Sequence, residues 1–246
     1  MNNLKRLIIF LSTEDNYIDR VEKIIADSKE NVSYIYIEDF LNNPNKFNKI
    51  NKNDIIYFLC NNKLIKKVIK QIQKENCFII NKKYLLMDIG KDKCQEHLKD
   101  FNILTPRIIK YNELSKKDFP IFCKSKKHAN MVMKLYNINT MNQLLYKFNV
   151  DKFYFEKDVK ENDYICERKI YYVDDKIYEL DNELSLERKD LLMLCRSISK
   201  CLNLELFSVD LIECKNKIYT IDVNIAPGFW NSRGSRLSLL NLLNSR

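Results

Sequence analysis

The sequence predicts an α/β protein, and three observations support this class. The first eighty residues alternate short apolar runs with stretches of helical periodicity, the pattern of strands and helices in β-α-β order. The rest of the chain mixes short strands with helices and ends in a predicted hairpin. With 246 residues, of which 46% are hydrophobic and 30% charged, the chain has an ordinary globular composition. We expect a small parallel-sheet, Rossmann-like domain over residues 1–84 and an α+β domain over residues 85–246.

The N-terminal elements follow from hydrophobic periodicity. Residues 6–12 form an apolar run typical of a buried strand, and residues 16–28 carry Val21, Ile24 and Ile25 at helical spacing. The same reading predicts strands over residues 32–37, 54–60 and 77–80 and an amphipathic helix over residues 64–72. This order implies a mostly parallel sheet covered by helices.

The later elements are predicted in the same way. Residues 91–101 read as a helix that ends before Pro106, and residues 186–202 as a longer helix with an apolar stripe. Thr140 and Gln143 have the spacing of a capping box, which predicts a helix start at Thr140. Short strands are predicted over residues 107–110, 120–124, 153–159, 167–173 and 176–180.

Composition excludes several kinds of site. The chain has three glycines, so neither a glycine-rich dinucleotide fingerprint nor a Walker phosphate loop is present. Eight cysteines without a Cys-x-x-Cys pair, together with two histidines, favour reduced thiols over a disulfide frame or a zinc site. No stretch is typical of a signal peptide or a membrane span, so we expect a cytoplasmic protein without a membrane partner.

The formal net charge of +9 is spread along the chain. An excess of basic over acidic side chains favours an anionic substrate, although lysine-rich helix faces are also common as solvated surfaces. No nucleic-acid-binding motif accompanies the charge, so we expect no nucleic-acid partner.

Two acidic side chains stand at corresponding positions of the C-terminal hairpin. Apolar-rich runs over residues 204–214 and 218–223 are separated by three residues, and a three-residue loop places Asp210 opposite Asp222. Because side chains alternate along a strand, Asn224 points the same way as Asp222. Opposed carboxylates repel, so the pair favours a bound cation such as Mg²⁺. The alternative is a solvated hairpin edge whose acids face water.

From about residue 85 onward, these motifs resemble the ATP-grasp superfamily. The segments Ser208-Val-Asp210 and Asp222-Val-Asn224-Ile-Ala-Pro-Gly228 are similar to that family's hairpin, in which acidic and amide side chains hold Mg²⁺ against the phosphates of ATP. The resemblance therefore implies ATP and Mg²⁺ as cofactors, with Asp210, Asp222 and Asn224 as metal ligands.

The same resemblance assigns three lysines. Lys91 is similar to the family's first nucleotide-contacting lysine, with Lys93 as the competing choice. Lys124 ends a segment, Pro120-Ile-Phe-Cys-Lys124, that resembles the strand whose lysine reaches the ATP phosphates. Lys169 matches a basic position on a later strand. A lysine taken alone is more often a solvated side chain than a ligand, so the assignment depends on the order of all three lysines along the chain.

Further positions follow from this alignment of motifs. Glu156 lies where the family reads the adenine edge, and Asp163 is a weaker candidate for ribose. Asp174 stands where the family has a glycine, in the turn after the strand that Lys169 opens. The segment Ser125–Met131 has no glycine, whereas many relatives carry a glycine-rich lid there. Its closure over ATP would then depend on side chains.

The resemblance implies an ATP-dependent carboxylate–amine ligase that acts through an acyl phosphate on an amino acid, a peptide or a small protein. The branch that adds amino acids to peptides or proteins is the most similar, and such ligases are frequently homo-oligomers. Arg233 and Arg236 suit a substrate carboxylate, because guanidinium groups bind carboxylates bidentately. Together with Lys169 they are the predicted catalytic residues. The alternative for both arginines is a basic tail beside the last helix.

Two other functions remain open on the sequence. The pattern around Lys124, His128 and Lys169 is also similar to inositol trisphosphate kinases, which share the ATP-grasp fold. The second alternative is a non-catalytic nucleotide- or peptide-binding relative, which the glycine-free lid segment would suit.

Overall fold

The computed structural model describes residues 5–14, 17–28, 31–47, 50–60, 63–87, 89–126, 131–160, 163–180, 182–184, 187–229 and 232–245. The helices are α1 (Ile18–Asp27), α2 (Ile37–Asn42), α3 (Ile65–Ile72), α4 (Lys82–Met87), α5 (Lys91–Asp100), α6 (Ile138–Lys147), α7 (Lys189–Leu202) and α8 (Arg233–Ser245). The strands are β1 (Leu7–Leu11), β2 (Val32–Tyr36), β3 (Ile55–Phe58), β4 (Phe78–Ile79), β5 (Ile108–Ile109), β6 (Ile121–Ser125), β7 (Val132–Leu135), β8 (Phe153–Lys157), β9 (Tyr164–Val173), β10 (Lys176–Glu179), β11 (Asn182–Glu183), β12 (Leu206–Cys214) and β13 (Lys217–Asn224). The α/β class predicted from the sequence is confirmed.

The N-terminal sheet is parallel throughout and has the strand order β2-β1-β3-β4. Both central strands are buried along their whole length, which explains why each is a continuous apolar run rather than an alternating one. Leu7 and Ile9 pack into one core cluster, whereas Ile8 and Phe10 pack into another. The sheet therefore has apolar packing on both faces, as the β-α-β pattern predicted.

A second, antiparallel sheet has the order β5-β8-β6-β7. Its core contains Ile121, Cys123 and Phe155, and it is completed by Met141 and Leu144 of α6. In its register, Phe122 is paired with Glu156 and Lys124 with Tyr154. The prediction that Thr140 begins α6 is wrong, because the Asn137 side chain caps the helix by accepting the N–H of Thr140 at 3.0 Å.

The third sheet has the order β11-β10-β9-β12-β13. Asp174 and Asp175 connect β9 to β10 with φ angles of 50° and 61°, a left-handed turn of the kind that glycine adopts most readily. Strands β12 and β13 are separated by two residues, Lys215 and Asn216, instead of the predicted three. The loop length from which Asp210 was placed opposite Asp222 is therefore wrong, and their opposition stays a prediction without that support.

The chain divides into two compact units. The first contains residues 1–88, 169–209 and 224–246, and the second contains residues 89–168 and 210–223. The domain boundary expected after residue 84 stays a prediction. Within the described segments, every helix is too short or too polar to cross a membrane. All eight cysteines are free in the structure.

Candidate functional site

The first lysine of the predicted nucleotide set is in direct contact with a predicted metal ligand. Lys91 is the first residue of α5, and its Nζ lies 2.7 Å from Oδ2 of Asp222. The helix start is held in place because the Lys91 N–H donates to the carbonyl of Lys126 at 3.0 Å. A Cβ on Gly90 would lie 3.1 Å from that same carbonyl, so glycine suits this close approach. Local backbone packing thus aims Lys91 at the hairpin.

The second lysine is buried and paired with the predicted adenine residue. Lys124 on β6 and Glu156 on β8 form a salt bridge, and their side chains are 8% and 1% exposed. The Lys124 Nζ also donates to the carbonyl of Ile221 at 3.2 Å. Burial raises the pKa of Glu156, and the positive charge of Lys124 acts in the opposite direction. Two positions predicted to contact one nucleotide are therefore neighbours.

Two buried polar residues of the second unit were not predicted. Gln95 donates from Nε2 to the carbonyl of Ile221 at 2.8 Å, while its Oε1 is buried and has no hydrogen-bond partner among the residues that the structure describes. Tyr154 is also buried, and this burial raises the pKa of its hydroxyl, with further contributions from Glu156 and Asp222. The sequence signal for Gln95 is its spacing: it follows Lys91 by four residues and so shares one face of α5.

The predicted metal ligands divide between the two units. Asp210 on β12 and Asp222 on β13 are half-buried and belong to the second unit. Asn224 belongs to the first unit, where its Oδ1 accepts the N–H of Ala226 at 3.0 Å. Among the residues described, no group of three or more His, Cys, Asp or Glu side chains is placed to hold a metal ion. Their roles as metal ligands stay predictions.

The cluster around Lys91 and Lys124 has the chemistry that a magnesium nucleotide requires. Its two ammonium groups are charges of the kind that bind phosphate oxygens, and the carboxylate of Asp222 is a hard oxygen donor of the kind that Mg²⁺ prefers. Mg²⁺ is commonly held by one or two carboxylates and completed by phosphates and water, so a third protein carboxylate is not needed. The buried, unpartnered Oε1 of Gln95 is a further sign of an incomplete polar environment.

Asp163 and Lys169 are two further predicted nucleotide contacts. Asp163 is exposed, and its carbonyl accepts the N–H of Lys215 at 2.9 Å. Lys169 is exposed on β9. Their nucleotide roles stay predictions. Most of the glycine-free lid segment, residues 127–130 with His128, lies outside the described residues.

The two predicted substrate arginines differ from each other. Arg236 on α8 is buried, and it donates to Oδ2 of Asp27 at 2.5 Å and to the carbonyl of Phe229 at 2.8 Å. The Arg233 side chain is 68% exposed, and its Nε lies 3.5 Å from Oδ1 of Asp27. Arg236 therefore uses hydrogen-bond donors to join α8 to α1, whereas Arg233 presents its guanidinium to solvent. Their predicted role in substrate binding stays a prediction.

Replacing Arg236 by alanine is expected to lower the free energy of unfolding by about 2–3 kcal/mol, because it leaves a largely buried carboxylate on Asp27 without its main partner. Urea denaturation followed by circular dichroism measures the change. The matched control is Arg233→Ala, for which we expect a change below about 0.5 kcal/mol since that side chain is mostly exposed. Equal effects of the two substitutions would contradict a structural role specific to Arg236.

The structure is similar along nearly its full length to solved ATP-grasp ligases. It matches D-alanine–D-alanine ligase from Bacillus anthracis complexed with ATP at a TM-score of 0.72 and 15% identity, covering 98% of this chain and 99% of that chain. It also matches the macrocyclase MdnC from Microcystis aeruginosa MRC, bound with precursor peptide MdnA, at a TM-score of 0.68 and 10% identity. This match covers 98% of this chain and 100% of that chain. For the ATP-grasp ligase PsnB, complexed with precursor peptide PsnA2 and AMPPNP, the TM-score is 0.66 and the identity 11%, with 98% of both chains covered.

The chain therefore has the ATP-grasp fold, which is the fold that its motifs predict. The similarity extends beyond the C-terminal part, where those motifs lie, to the N-terminal sheet as well. No model of a known protein family matches the sequence, and no curated protein matches it.

Proposed function

We propose that this protein is an ATP- and Mg²⁺-dependent ligase that joins a carboxylate to an amine, acting on an amino acid, a peptide or a small protein. The observation that carries the proposal is the similarity to D-alanine–D-alanine ligase over almost the entire length of both chains. The cluster of Lys91, Lys124 and Asp222 supports it, because this cluster has the charges that a magnesium nucleotide needs.

The residues of this chain act by positioning and by charge. In the proposed reaction, an oxygen of the substrate carboxylate would attack the γ-phosphorus of ATP and release ADP, and the amine would then displace inorganic phosphate from the acyl phosphate to form the amide. A bound Mg²⁺ would supply charge neutralisation at the phosphates. Lys91 and Lys124 hold phosphate oxygens as point charges, and Asp210 and Asp222 hold the metal. Such catalysis requires no nucleophilic serine, cysteine or histidine. Glu156 is the proposed adenine contact.

The proposed substrates are a carboxylate and an amine from the amino-acid or peptide class. The neighbouring structures include ligases complexed with precursor peptides, and this supports a peptide as one of the two partners. Lys169 and Arg233 are the proposed substrate contacts at exposed positions, while Asn224 is the proposed third oxygen donor. A homo-oligomer and a cytoplasmic location are part of the same proposal.

A trapping experiment tests the reaction. The purified protein is incubated with Mg²⁺, ATP and a panel of amino acids and dipeptides, with and without hydroxylamine, and ADP release and hydroxamate formation are measured. We expect ADP release that depends on a carboxylate substrate, and a hydroxamate of that same substrate. ATP binding without hydroxamate formation for any carboxylate in the panel would contradict the proposed reaction.

The kinase alternative is tested in the same assay. With γ-labelled ATP and inositol phosphates as acceptors, a kinase transfers label to the acceptor, and the proposed ligase does not. None of the three structures compared above is described as a kinase, so the ligase takes precedence.

A further inference from the structure

Gly228 lies directly against a guanidinium group. A Cβ added at Gly228 would lie 2.1 Å from Cδ of Arg20 and 3.0 Å from its Nε and Nη1. None of the described glycines has a positive φ, so the backbone conformation at this position does not itself demand glycine. A Cβ at 228 would overlap the space that the Arg20 side chain occupies, so any other residue there would displace that side chain.

The Arg20 side chain is held by further contacts in the same unit. Its guanidinium carbon lies 4.0 Å from the centre of the Tyr17 ring, a cation–π contact. The turn below it is also held, because the buried hydroxyl of Tyr57 donates to the carbonyl of Pro227 at 2.7 Å. Burial raises the pKa of Tyr57, and the charge of Arg20 acts against this shift. The guanidinium is thus fixed beside the turn before any ligand binds.

The charges around this turn are unbalanced. Asp27 on α1 compensates both Arg233 and Arg236. Arg20 lies two helical turns before Asp27 on α1, and among the described residues no carboxylate forms an ion pair with it. A fixed arginine with unused donors binds planar anions well, because its fork matches a carboxylate bidentately.

We propose that Arg20 binds a carboxylate group of the substrate beside Gly228. The ligand class is an amino acid or the C-terminus of a peptide, held by two parallel hydrogen bonds from the guanidinium. This inference depends on the proposed function for the nature of the ligand. In sequence, Gly228 ends the segment that begins with the proposed metal ligand Asp222. In this role Arg20 takes over the task that the sequence assigned to Arg236, whose donors are occupied by Asp27 and Phe229.

Binding without nucleotide tests the inference independently of turnover. Isothermal titration calorimetry compares the common L-amino acids, D-alanine and the dipeptide L-Ala-L-Ala with their C-terminal amides. We expect at least one acid to bind the wild-type protein about tenfold or more tightly than its amide, as charge-assisted hydrogen bonds predict. Arg20→Ala is expected to remove this preference, and Arg20→Lys to retain only part of it.

Several outcomes would overturn the inference. These are a wild-type protein without any preference for acids, an Arg20→Ala variant that keeps the preference, and inorganic phosphate binding more tightly than every acid. The matched control is Arg196→Ala, which removes an exposed arginine paired with Asp175 and should leave the preference unchanged. Because ATP is absent, failure of the ligase assay leaves this test valid.

Gly228 supplies an internal check. Gly228→Ala is expected to displace the guanidinium and to abolish the preference for acids in the same way as Arg20→Ala. The double variant Arg20→Ala/Gly228→Ala should lose no more than either single variant, because both remove one interaction. Additive losses in the double variant would contradict a common cause.

Discussion

Replacing Lys124 by methionine is expected to lower the free energy of unfolding by about 3–5 kcal/mol, because it leaves Glu156 buried without its partner. Adding Glu156→Leu to this variant should restore most of the lost stability, since an apolar pair of similar volume often replaces a buried ion pair without loss. Urea denaturation at pH 8 measures both variants. If the single substitution leaves stability unchanged, the salt bridge is not formed as described.

The pH dependence gives a second measurement of the same pair. Burial raises the pKa of Glu156 above its value in the unfolded chain, so the native state binds the proton more tightly. Protonated Glu156 therefore contributes to the free energy of unfolding at low pH, and this contribution is lost as the pH rises through the raised pKa. Without Lys124 the opposing charge is gone, and the pKa rises further. Lys124→Met should therefore be less destabilising at pH 5 than at pH 8.

Nucleotide affinity separates the structural role of Lys124 from its proposed role in binding. The double variant Lys124→Met/Glu156→Leu has no unpaired charge at this site, but it lacks both the ammonium group that is proposed to hold phosphate and the carboxylate that is proposed to contact adenine. We expect it to fold stably and to bind Mg²⁺-ATP at least about tenfold more weakly than the wild-type protein. Unchanged nucleotide affinity in a well-folded double variant would remove Lys124 from the proposed site.

Replacing Asp222 by asparagine is expected to reduce turnover by at least about 100-fold, because it removes a charged ligand of the proposed Mg²⁺. The same change releases Lys91 from its ion pair at 2.7 Å. Affinity for ATP in the absence of Mg²⁺ should therefore rise, while the gain in affinity that Mg²⁺ provides should shrink. Titration of a fluorescent ATP analogue with Mg²⁺ or with EDTA measures both effects.

Opposite changes under the two conditions distinguish this role from misfolding. A general loss of structure would weaken nucleotide binding with and without the metal. The control is Asp151→Asn, which neutralises an exposed carboxylate in the same unit and should change neither affinity. Asn224→Ala is expected to lower turnover as well. If Asp222→Asn keeps full activity, its assignment as a metal ligand is wrong.

Much of the candidate site was accessible from sequence order alone. Motif order predicts Lys91, Lys124 and Asp222 as site residues, and the structure brings them together around the carbonyl of Ile221 and the Glu156 carboxylate. They were found because each sits at a recognisable place: a helix start, the end of an apolar strand, a hairpin. Gln95 was not predicted, because its place four residues after Lys91 on α5 becomes a signal only once Lys91 is taken as a nucleotide contact.

Local turn chemistry was harder to predict. The loop between β12 and β13 has two residues rather than three, and α6 is capped by Asn137 rather than beginning at Thr140. Both errors concern alternatives that differ little in local free energy, because several side chains nearby are able to cap a helix or close a turn. Tertiary packing selects among them.

The sequence by itself determined the α/β class, the order of the elements and the charged residue types, because hydrophobic periodicity and motif order are local properties of the chain. Only the tertiary structure decided which charges meet. It paired Lys124 with Glu156 across two strands, occupied Arg236 with Asp27, and placed Arg20 against Gly228, near the opposite end of the chain. Such contacts depend on strand register and helix packing, which no short segment encodes.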